Sequence, residues 1–185
     1  MRIGLLGPAN AGKDTVADML CEAIPGLRKV SFADALYEEV SGAFGVPVEK
    51  LRDRRTKEEP TPGLGLLTCR ESGFHPLLEE ARAYSPREIL ELWGTQYRRA
   101  RQEDYWVRQA LQVQPPVIHP DVRFPDELAI CTHAFVIRRP GGEILRNHES
   151  DQLWRRIDGL LVIENTGGLA ALREKVQRLA RETRK

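Results

Sequence analysis

The sequence is poor in aromatic residues and cysteine, and it has no long hydrophobic run. Only 6% of its 185 residues are aromatic, yet 41% are hydrophobic, which is too many for a disordered chain. No apolar segment approaches the ~20 residues of a transmembrane helix, and the first apolar run stops too early for a signal peptide. The three cysteines are far apart and form no metal-binding spacing. We therefore expect a cytoplasmic protein with reduced thiols and no membrane partner.

The net charge of the chain is close to zero. The chain has 28 basic and 27 acidic residues, for a formal net charge of +1. Proteins that coat nucleic acid rely on an excess of positive charge, so we expect no nucleic-acid partner. Lysine is also scarce, because 22 of the 28 basic residues are arginine. This excess reflects either phosphate and carboxylate binding or an arginine-rich genome, and the count alone favours the genome.

Short apolar strands alternate with amphipathic helices along most of the chain. This alternation predicts an α/β fold with a mostly parallel sheet flanked by helices, in a single domain over residues 1–185. Residues 46–85 are rich in charge, proline and glycine and are predicted to form an insertion. The predicted strands are 2–6, 29–32, 117–119, 134–137 and 160–163, and the predicted helices are 14–24, 34–44, one from 85, 103–112, 126–132 and 169–184.

Residues 7–13 read Gly-Pro-Ala-Asn-Ala-Gly-Lys and match the phosphate-binding pattern G-x-x-x-x-G-K. The segment follows the first predicted strand and begins the first predicted helix, as the mechanism of such a loop requires. Its glycines let main-chain N–H groups face phosphates, the helix N-terminus adds a positive dipole, and Lys13 reaches the outer phosphates. The sequence therefore predicts a phosphate-binding loop.

The residue after Lys13 departs from the general pattern. Asp14 occupies the position where serine or threonine normally supplies a Mg²⁺ ligand, and Thr15 comes one step later. Adjacent helical residues point about 100° apart, so Thr15 does not simply replace the missing hydroxyl. Asp14 either holds Mg²⁺, directly or through water, or only stabilises the helix N-terminus.

Three charged residues follow the predicted strand 117–119. Ligands of parallel α/β sheets bind beyond the carboxyl ends of the strands. Asp121 is therefore a candidate to accept a proton, bind Mg²⁺ through water or hold a sugar hydroxyl, and Arg123 is a candidate to clamp a phosphate. Glu127 lies one turn further along. The alternative is a surface salt bridge among these three residues.

Two tryptophans and a pair of arginines complete the candidates. Trp93 lies beside a predicted Gly94-Thr95 turn and shares the apolar face of a helix, so we expect it in the core, whereas Trp106 is either core or ligand-binding. Arg138 and Arg139 end a predicted strand directly before a flexible Pro-Gly-Gly. We therefore expect residues 138–152 to form a short lid-like loop.

Taken together, these segments resemble the phage-type deoxynucleoside monophosphate kinases. The resemblance runs through most of the chain and depends on the order of many short pieces. Asp151 departs from it, because the family usually has glutamate after His-x-Ser. The matching pieces are Gly-Lys-Asp-Thr at 12–15, Ser-Phe-Ala-Asp at 31–34, Asp53-Arg54, Lys57-Glu58, Ser-Pro-Arg-Glu at 85–88, Gly94-Thr95, Asp104, Trp106-Val107, Asp-Val-Arg-Phe at 121–124, Glu127, Arg139-Pro140, His148-x-Ser150 and Asn165.

The resemblance implies a P-loop NTPase three-layer sandwich with a monophosphate-binding insertion. It also implies transfer of the γ-phosphoryl of ATP to a deoxynucleoside 5′-monophosphate, with Mg²⁺, by a monomer or homodimer. Lys13, Asp121, Arg123 and Arg139 would be catalytic, with Arg139 as the lid arginine. ATP would be bound by Gly7, Asn10, Ala11, Gly12, Lys13, Asp14, Thr15 and Arg139, and the monophosphate by Arg54, Gly94, Thr95, Trp106, Asp121, Arg123 and Glu127; Arg55 is an alternative to Arg54.

Two other functions fit the same motifs. One is a P-loop kinase for another small metabolite, such as a coenzyme precursor. The other is a non-catalytic nucleotide-binding or nucleic-acid-associated protein that uses its arginine pairs for phosphates. The tryptophan segments favour a nucleotide acceptor over the first, and the near-neutral charge disfavours the second.

Overall fold

A computed structural model describes residues 1–141 and 153–183. The chain divides into two compact units. The sheet unit contains residues 1–32 and the described residues from 110 onwards, and the helical unit contains residues 33–109. The predicted insertion, residues 46–85, falls within the helical unit.

The sheet unit is built on five parallel strands. Their order in the sheet is β2-β3-β1-β4-β5, so β1 lies in the middle and pairs with both β3 and β4. All five residues of β1 are buried, as is typical of a central strand in a parallel sheet. The strands are β1 (Arg2–Leu6), β2 (Arg28–Lys29), β3 (Val117–His119), β4 (His133–Arg138) and β5 (Leu161–Glu164).

The described part of the chain contains eight α-helices and three shorter or wider helical segments. In chain order the α-helices are α1 (Lys13–Ala23), α2 (Phe32–Phe44), α3 (Val48–Arg52), α4 (Pro86–Glu91), α5 (Tyr105–Leu111), α6 (Pro125–Ala129), α7 (Leu153–Arg156) and α8 (Leu169–Glu182). Two 3-10 helices span Leu66–Thr68 and Ser72–Leu77, and a π-helix spans Leu92–Arg99.

The core of the sheet unit lies between the sheet and the helices α1 and α8. The apolar residues of α1 recur three or four positions apart, as Val16 and Leu20 do, and they contact Val176 of α8 and Ile3 of β1 in one buried cluster. Burial of this stripe, at about 25 cal/mol per Å² of apolar surface, is the main favourable term for packing these helices. This packing fixes the position of α1 relative to β1, and therefore the two ends of the loop that connects them.

Aromatic residues, scarce in the whole chain, are concentrated in the helical unit. The rings of Phe74 and Trp93 lie 4.7 Å apart, and that of Tyr97 lies 4.9 Å from Trp93. Phe44 joins the cluster edge-on to Phe74. Trp93 is only 1% exposed, which confirms the prediction that it packs in the core. Because aromatic side chains bury more area per residue than most others, these few rings contribute strongly to the core of the helical unit.

Most of the predicted elements are confirmed, and the strand predicted over 29–32 is an exception. Ser85 and Glu88 form the expected capping box, in which each residue's side chain binds the other's main-chain N–H. The prediction of a strand over 29–32 was wrong at its end, because Phe32 already begins α2. The reason is a distant residue: the carboxylate of Asp121 accepts a hydrogen bond from the Phe32 N–H and stabilises the helix start there.

No helix in the described ranges 1–141 and 153–183 is both long and apolar enough to cross a membrane.

His119, the last residue of β3, is fully buried and makes a pH-dependent contribution to stability. Its Nδ1 lies 2.7 Å from the Val30 carbonyl, and its ring stacks on Phe32. Burial lowers the pKa of His119. Below about pH 6.5 the unfolded histidine therefore takes up a proton that the folded one does not, and stability decreases as the pH falls.

We expect the substitution His119→Asn to flatten this pH dependence. The asparagine amide keeps a donor for the Val30 carbonyl but does not titrate. Between pH 7 and pH 5 the wild-type free energy of unfolding should fall more steeply than that of the variant, by at most about 1.4 kcal/mol per pH unit. Urea unfolding at several pH values measures the difference. Parallel curves for the two proteins would contradict the assignment.

Candidate active site

The glycine loop, residues 7–13, connects the end of β1 to the start of α1. Its backbone has φ values of +133° at Gly7, +63° at Asn10 and +95° at Gly12. At Gly7, an added Cβ would lie 2.1 Å from the Ile137 carbonyl oxygen, so no side chain fits. The loop therefore depends on backbone conformations that residues with side chains rarely adopt.

Lys13 begins α1 and folds back over the loop. Its Nζ donates hydrogen bonds to the main-chain oxygens of Gly7 at 2.7 Å and Pro8 at 2.8 Å. The first-turn N–H groups of a helix have no acceptor within the helix, and they give the helix N-terminus a partial positive charge. The Lys13 ammonium and this helix terminus thus place positive charge at the same end of the loop.

Asn165, the residue after β5, is hydrogen-bonded to the glycine loop. Its main-chain N–H donates to the Arg138 carbonyl at 2.6 Å, and its Nδ2 donates to the Ala11 carbonyl at 2.9 Å. An added Cβ at Gly12 would lie 2.5 Å from that same Nδ2. From the sequence, Asn165 was identified only as the last matching piece of the family resemblance, without a role. Its position directly after the last strand was the available signal.

Asp14 lies in the first turn of α1 with a side chain that is 64% exposed. The Lys29 ammonium is 3.9 Å from one of its oxygens. No group of three or more metal-ligating side chains occurs among the residues that the structure describes. A Mg²⁺ ion at the loop would therefore take most of its ligands from phosphates and water, which is usual for that ion, and the exposed Asp14 fits as the single carboxylate.

Asp121 lies two residues beyond β3 and holds the start of α2. One carboxylate oxygen accepts a hydrogen bond from the Phe32 N–H at 3.0 Å, and the other accepts one from the Ser31 hydroxyl. A carboxylate with two donors keeps a fixed orientation. The structure thus brings Asp121 together with the Ser-Phe segment that begins α2.

Glu127 is buried at the start of α6 and supports the chain that carries Arg123. One of its oxygens accepts hydrogen bonds from the main-chain N–H groups of Arg123 at 2.8 Å and Phe124 at 3.2 Å. The Arg123 side chain is exposed. Glu127 therefore fixes the main chain at Arg123.

Gly94 and Thr95 lie inside the π-helix Leu92–Arg99, so the prediction of a Gly-Thr turn was wrong. Gly94 is buried, and its carbonyl accepts a hydrogen bond from the Trp106 indole N–H at 3.1 Å. This bond and the 5% exposure of Trp106 identify its indole as a core group that supports the π-helix. Wide π turns are rare and are frequently found at functional sites.

Arg54 and Arg55 follow α3 and differ in their surroundings. The guanidinium of Arg55 binds both oxygens of Asp53, with the shortest distance 2.7 Å. This hydrogen bonding lowers the pKa of Asp53 to about 2. Arg54 has an exposed side chain that also makes contacts. Both arginines therefore have partners within the protein, and their contacts do not distinguish Arg54 from Arg55 as an anion-binding residue.

Arg139 directly follows β4 and is exposed. Of the lid predicted over 138–152, residues 142–152 lie outside the described residues, and His148, Ser150 and Asp151 are among them.

The described residues define an α/β protein whose five-stranded parallel sheet is flanked by helices. A similar solved structure is the crystal structure of TT1252 from Thermus thermophilus, which is 17% identical in sequence. The similarity covers 98% of this chain and 97% of that one, with a TM-score of 0.52. No protein-family model and no curated protein matches the chain. At this identity, the similarity to TT1252 shows the fold alone.

Proposed function

We propose that this protein is a P-loop kinase that transfers the γ-phosphoryl of ATP to a deoxynucleoside 5′-monophosphate. The observation that carries the proposal is the glycine loop between β1 and α1. There, Gly7 and Gly12 occupy conformations that side chains do not fit, and Lys13 begins the helix. This combination of strand, tight loop, lysine and helix N-terminus suits the phosphates of a nucleotide.

The glycine loop is the proposed site for ATP. Its main-chain N–H groups and the N-terminus of α1 would hold the inner phosphates, and the Lys13 ammonium would leave the Gly7 and Pro8 carbonyls to bind the outer ones. When bound with ATP, Mg²⁺ supplies charge neutralisation at the phosphates. Asp14 is the residue placed to hold it, directly or through water.

The proposed acceptor residues are Arg123, Asp121 and Arg54, together with Gly94 and Thr95 of the π-helix. A phosphate monoester has its second pKa near 6, so the attacking oxygen is already anionic near neutral pH. A strong catalytic base is therefore unnecessary. Asp121, oriented by two donors, is better suited to position the acceptor than to remove a proton.

Catalysis in this proposal consists of positioning and charge neutralisation. The transferred phosphoryl group spreads its charge over three oxygens, and nearby cations stabilise it. Lys13, Arg123 and the exposed Arg139 are the cations that the proposal assigns to this task. The protein forms no covalent bond to the phosphoryl group at any step.

An ATP-consumption screen with Mg²⁺ tests the proposal. The acceptors are the deoxy- and ribonucleoside 5′-monophosphates, with small phosphorylatable metabolites such as coenzyme precursors as a second panel. We expect turnover with at least one deoxynucleoside monophosphate and formation of the matching diphosphate. Activity with the second panel alone would support the metabolite-kinase alternative. Salt-dependent DNA binding without any turnover would support the non-catalytic one.

A further inference from the structure

Glu39, on α2, is the acceptor for three donors of the helical unit. One of its oxygens accepts hydrogen bonds from the Trp93 indole at 2.8 Å and from Nε of Arg98 at 2.7 Å. The other oxygen accepts from the Tyr105 hydroxyl. Its side chain is 21% exposed, so these bonds replace most of its hydration. Satisfied in this way, the carboxylate holds Arg98 in one orientation.

Arg98 also lies among three aromatic rings. Its Cζ is 4.8 Å from the centroid of Tyr97, 5.0 Å from that of Tyr105 and 5.5 Å from that of Trp93. A guanidinium packed against ring faces gains cation–π attraction and loses rotational freedom. The bond to Glu39 and the rings together fix the plane of the guanidinium before any ligand arrives.

The outer edge of this fixed guanidinium is available. Arg98 makes its hydrogen bond through Nε, and its two η nitrogens have no protein partner among the residues that the structure describes. They are not among the buried polar atoms that lack a partner, so they reach solvent. The Arg98 side chain is 26% exposed.

Arg101 provides a contrast on the same ring. Its Cζ lies 3.9 Å from the centroid of Tyr97, closer than that of Arg98. Its η nitrogens, however, donate to the carbonyls of Tyr97 at 3.4 Å and Gly73 at 3.0 Å. The η nitrogens of Arg101 are therefore bound to main-chain carbonyls, whereas those of Arg98 can bind a ligand.

We propose that Arg98 binds the phosphate group of the acceptor through its η nitrogens, with Glu39 as its positioning residue. This inference rests on the proposed function, because it assigns a ligand contact to the π-helix that carries Gly94 and Thr95. A guanidinium edge matches two phosphate oxygens and forms strong charge-assisted hydrogen bonds.

The surroundings of Arg98 favour an anion despite the Glu39 carboxylate. Burial and the hydrogen bond to Glu39 raise the pKa of Tyr105 to about 12, and burial also raises that of Tyr97. Both phenols therefore stay neutral near neutral pH. Two carboxylates, Glu39 and Glu71, accept hydrogen bonds from this cluster, and Arg98, Arg99 and Arg101 supply three positive charges in the same segment.

Steady-state kinetics on the whole protein test the inference. Arg98→Lys keeps the positive charge but removes the two η nitrogens. We expect it to raise the KM for the deoxynucleoside monophosphate by about ten-fold or more. The KM for ATP should change by less than about two-fold. Glu39→Gln removes the negative charge and leaves one acceptor oxygen for the three donors, so it holds Arg98 less firmly and should raise the monophosphate KM by a smaller factor. The matched control, Arg101→Lys, should leave both KM values within about two-fold of wild type.

Binding measured by calorimetry separates this inference from the proposed function. The titrants are the deoxynucleoside monophosphate, the nucleoside without phosphate, and inorganic phosphate, with thermal unfolding as a check that each variant is folded. Arg98→Lys should lose monophosphate affinity and leave nucleoside affinity unchanged. Phosphate-dependent binding through Arg98 without turnover would remove the kinase proposal but keep this inference. Turnover with an unchanged monophosphate KM in Arg98→Lys would overturn the inference and keep the kinase.

Discussion

Replacing Lys13 with methionine is expected to abolish most phosphoryl transfer while the fold survives. Loss of one preorganised charge-stabilising donor typically lowers kcat by about 10²–10³, and Lys13 is in addition the only cation inside the glycine loop. Methionine keeps an unbranched side chain of similar length. The two hydrogen bonds to Gly7 and Pro8 lost in the variant contribute about 1 kcal/mol each to stability, which a protein of ordinary stability tolerates.

A second lysine makes a matched control for this experiment. Lys175, on α8, also donates to a main-chain carbonyl, that of Glu164 at 2.5 Å, and to the Thr166 hydroxyl at 3.4 Å. Lys175→Met should therefore cost a similar amount of stability but leave turnover within about two-fold of wild type. Steady-state kinetics and thermal unfolding of both variants measure the two effects. Near-full turnover in Lys13→Met would remove the loop from the mechanism.

Replacing Gly7 with alanine is expected to destabilise the protein severely. At φ +133° an L side chain is strained, and the added Cβ would lie 2.1 Å from the Ile137 carbonyl oxygen, which is main chain and cannot rotate away. The strained backbone costs about 1–3 kcal/mol, and the forced displacement of a packed strand costs about 1–3 kcal/mol more. The sum is a large share of the 5–15 kcal/mol that typically separates folded from unfolded states.

The variant Gly159→Ala is a control that separates the steric clash at Gly7 from the strain of a positive φ. Gly159 also has a positive φ, +85°, but a Cβ there would meet nothing within 4 Å. The gain in unfolded-state rigidity on replacing glycine is common to both variants and cancels. Urea unfolding should show that Gly7→Ala is at least about 1–3 kcal/mol less stable than Gly159→Ala. Equal midpoints would mean that the loop moves to accept a side chain.

The elements that were predicted correctly are those whose signals are local. A continuous apolar run identified β1, and a serine followed three residues later by glutamate identified the start of α4. The signal for a glycine-rich connection between β1 and α1 was equally local, because the pattern, strand and helix are contiguous; that this loop binds phosphate stays a prediction. These features depend on residues close together in sequence, so the sequence alone could specify them.

The features that were missed depend on distant residues. The start of α2 moved to Phe32 because Asp121, far along the chain, supplies the helix cap. The π-helix around Gly94 is supported by Trp106 and by Glu39 on another helix, and no periodicity in residues 92–99 indicates a wider turn. Asn165 likewise acquires its role only when β4 and β5 bring it to the glycine loop.

The order of the strands in the sheet also determines when each unit can be completed during synthesis. The central strand β1 pairs with β3 and β4, and both lie beyond residue 116. The helical unit, by contrast, is one continuous segment that ends at residue 109. Domains generally fold as units while the chain emerges from the ribosome. The first strand to emerge therefore has no partner until the whole helical unit has been made, so the helical unit is complete before the sheet that carries the glycine loop can close.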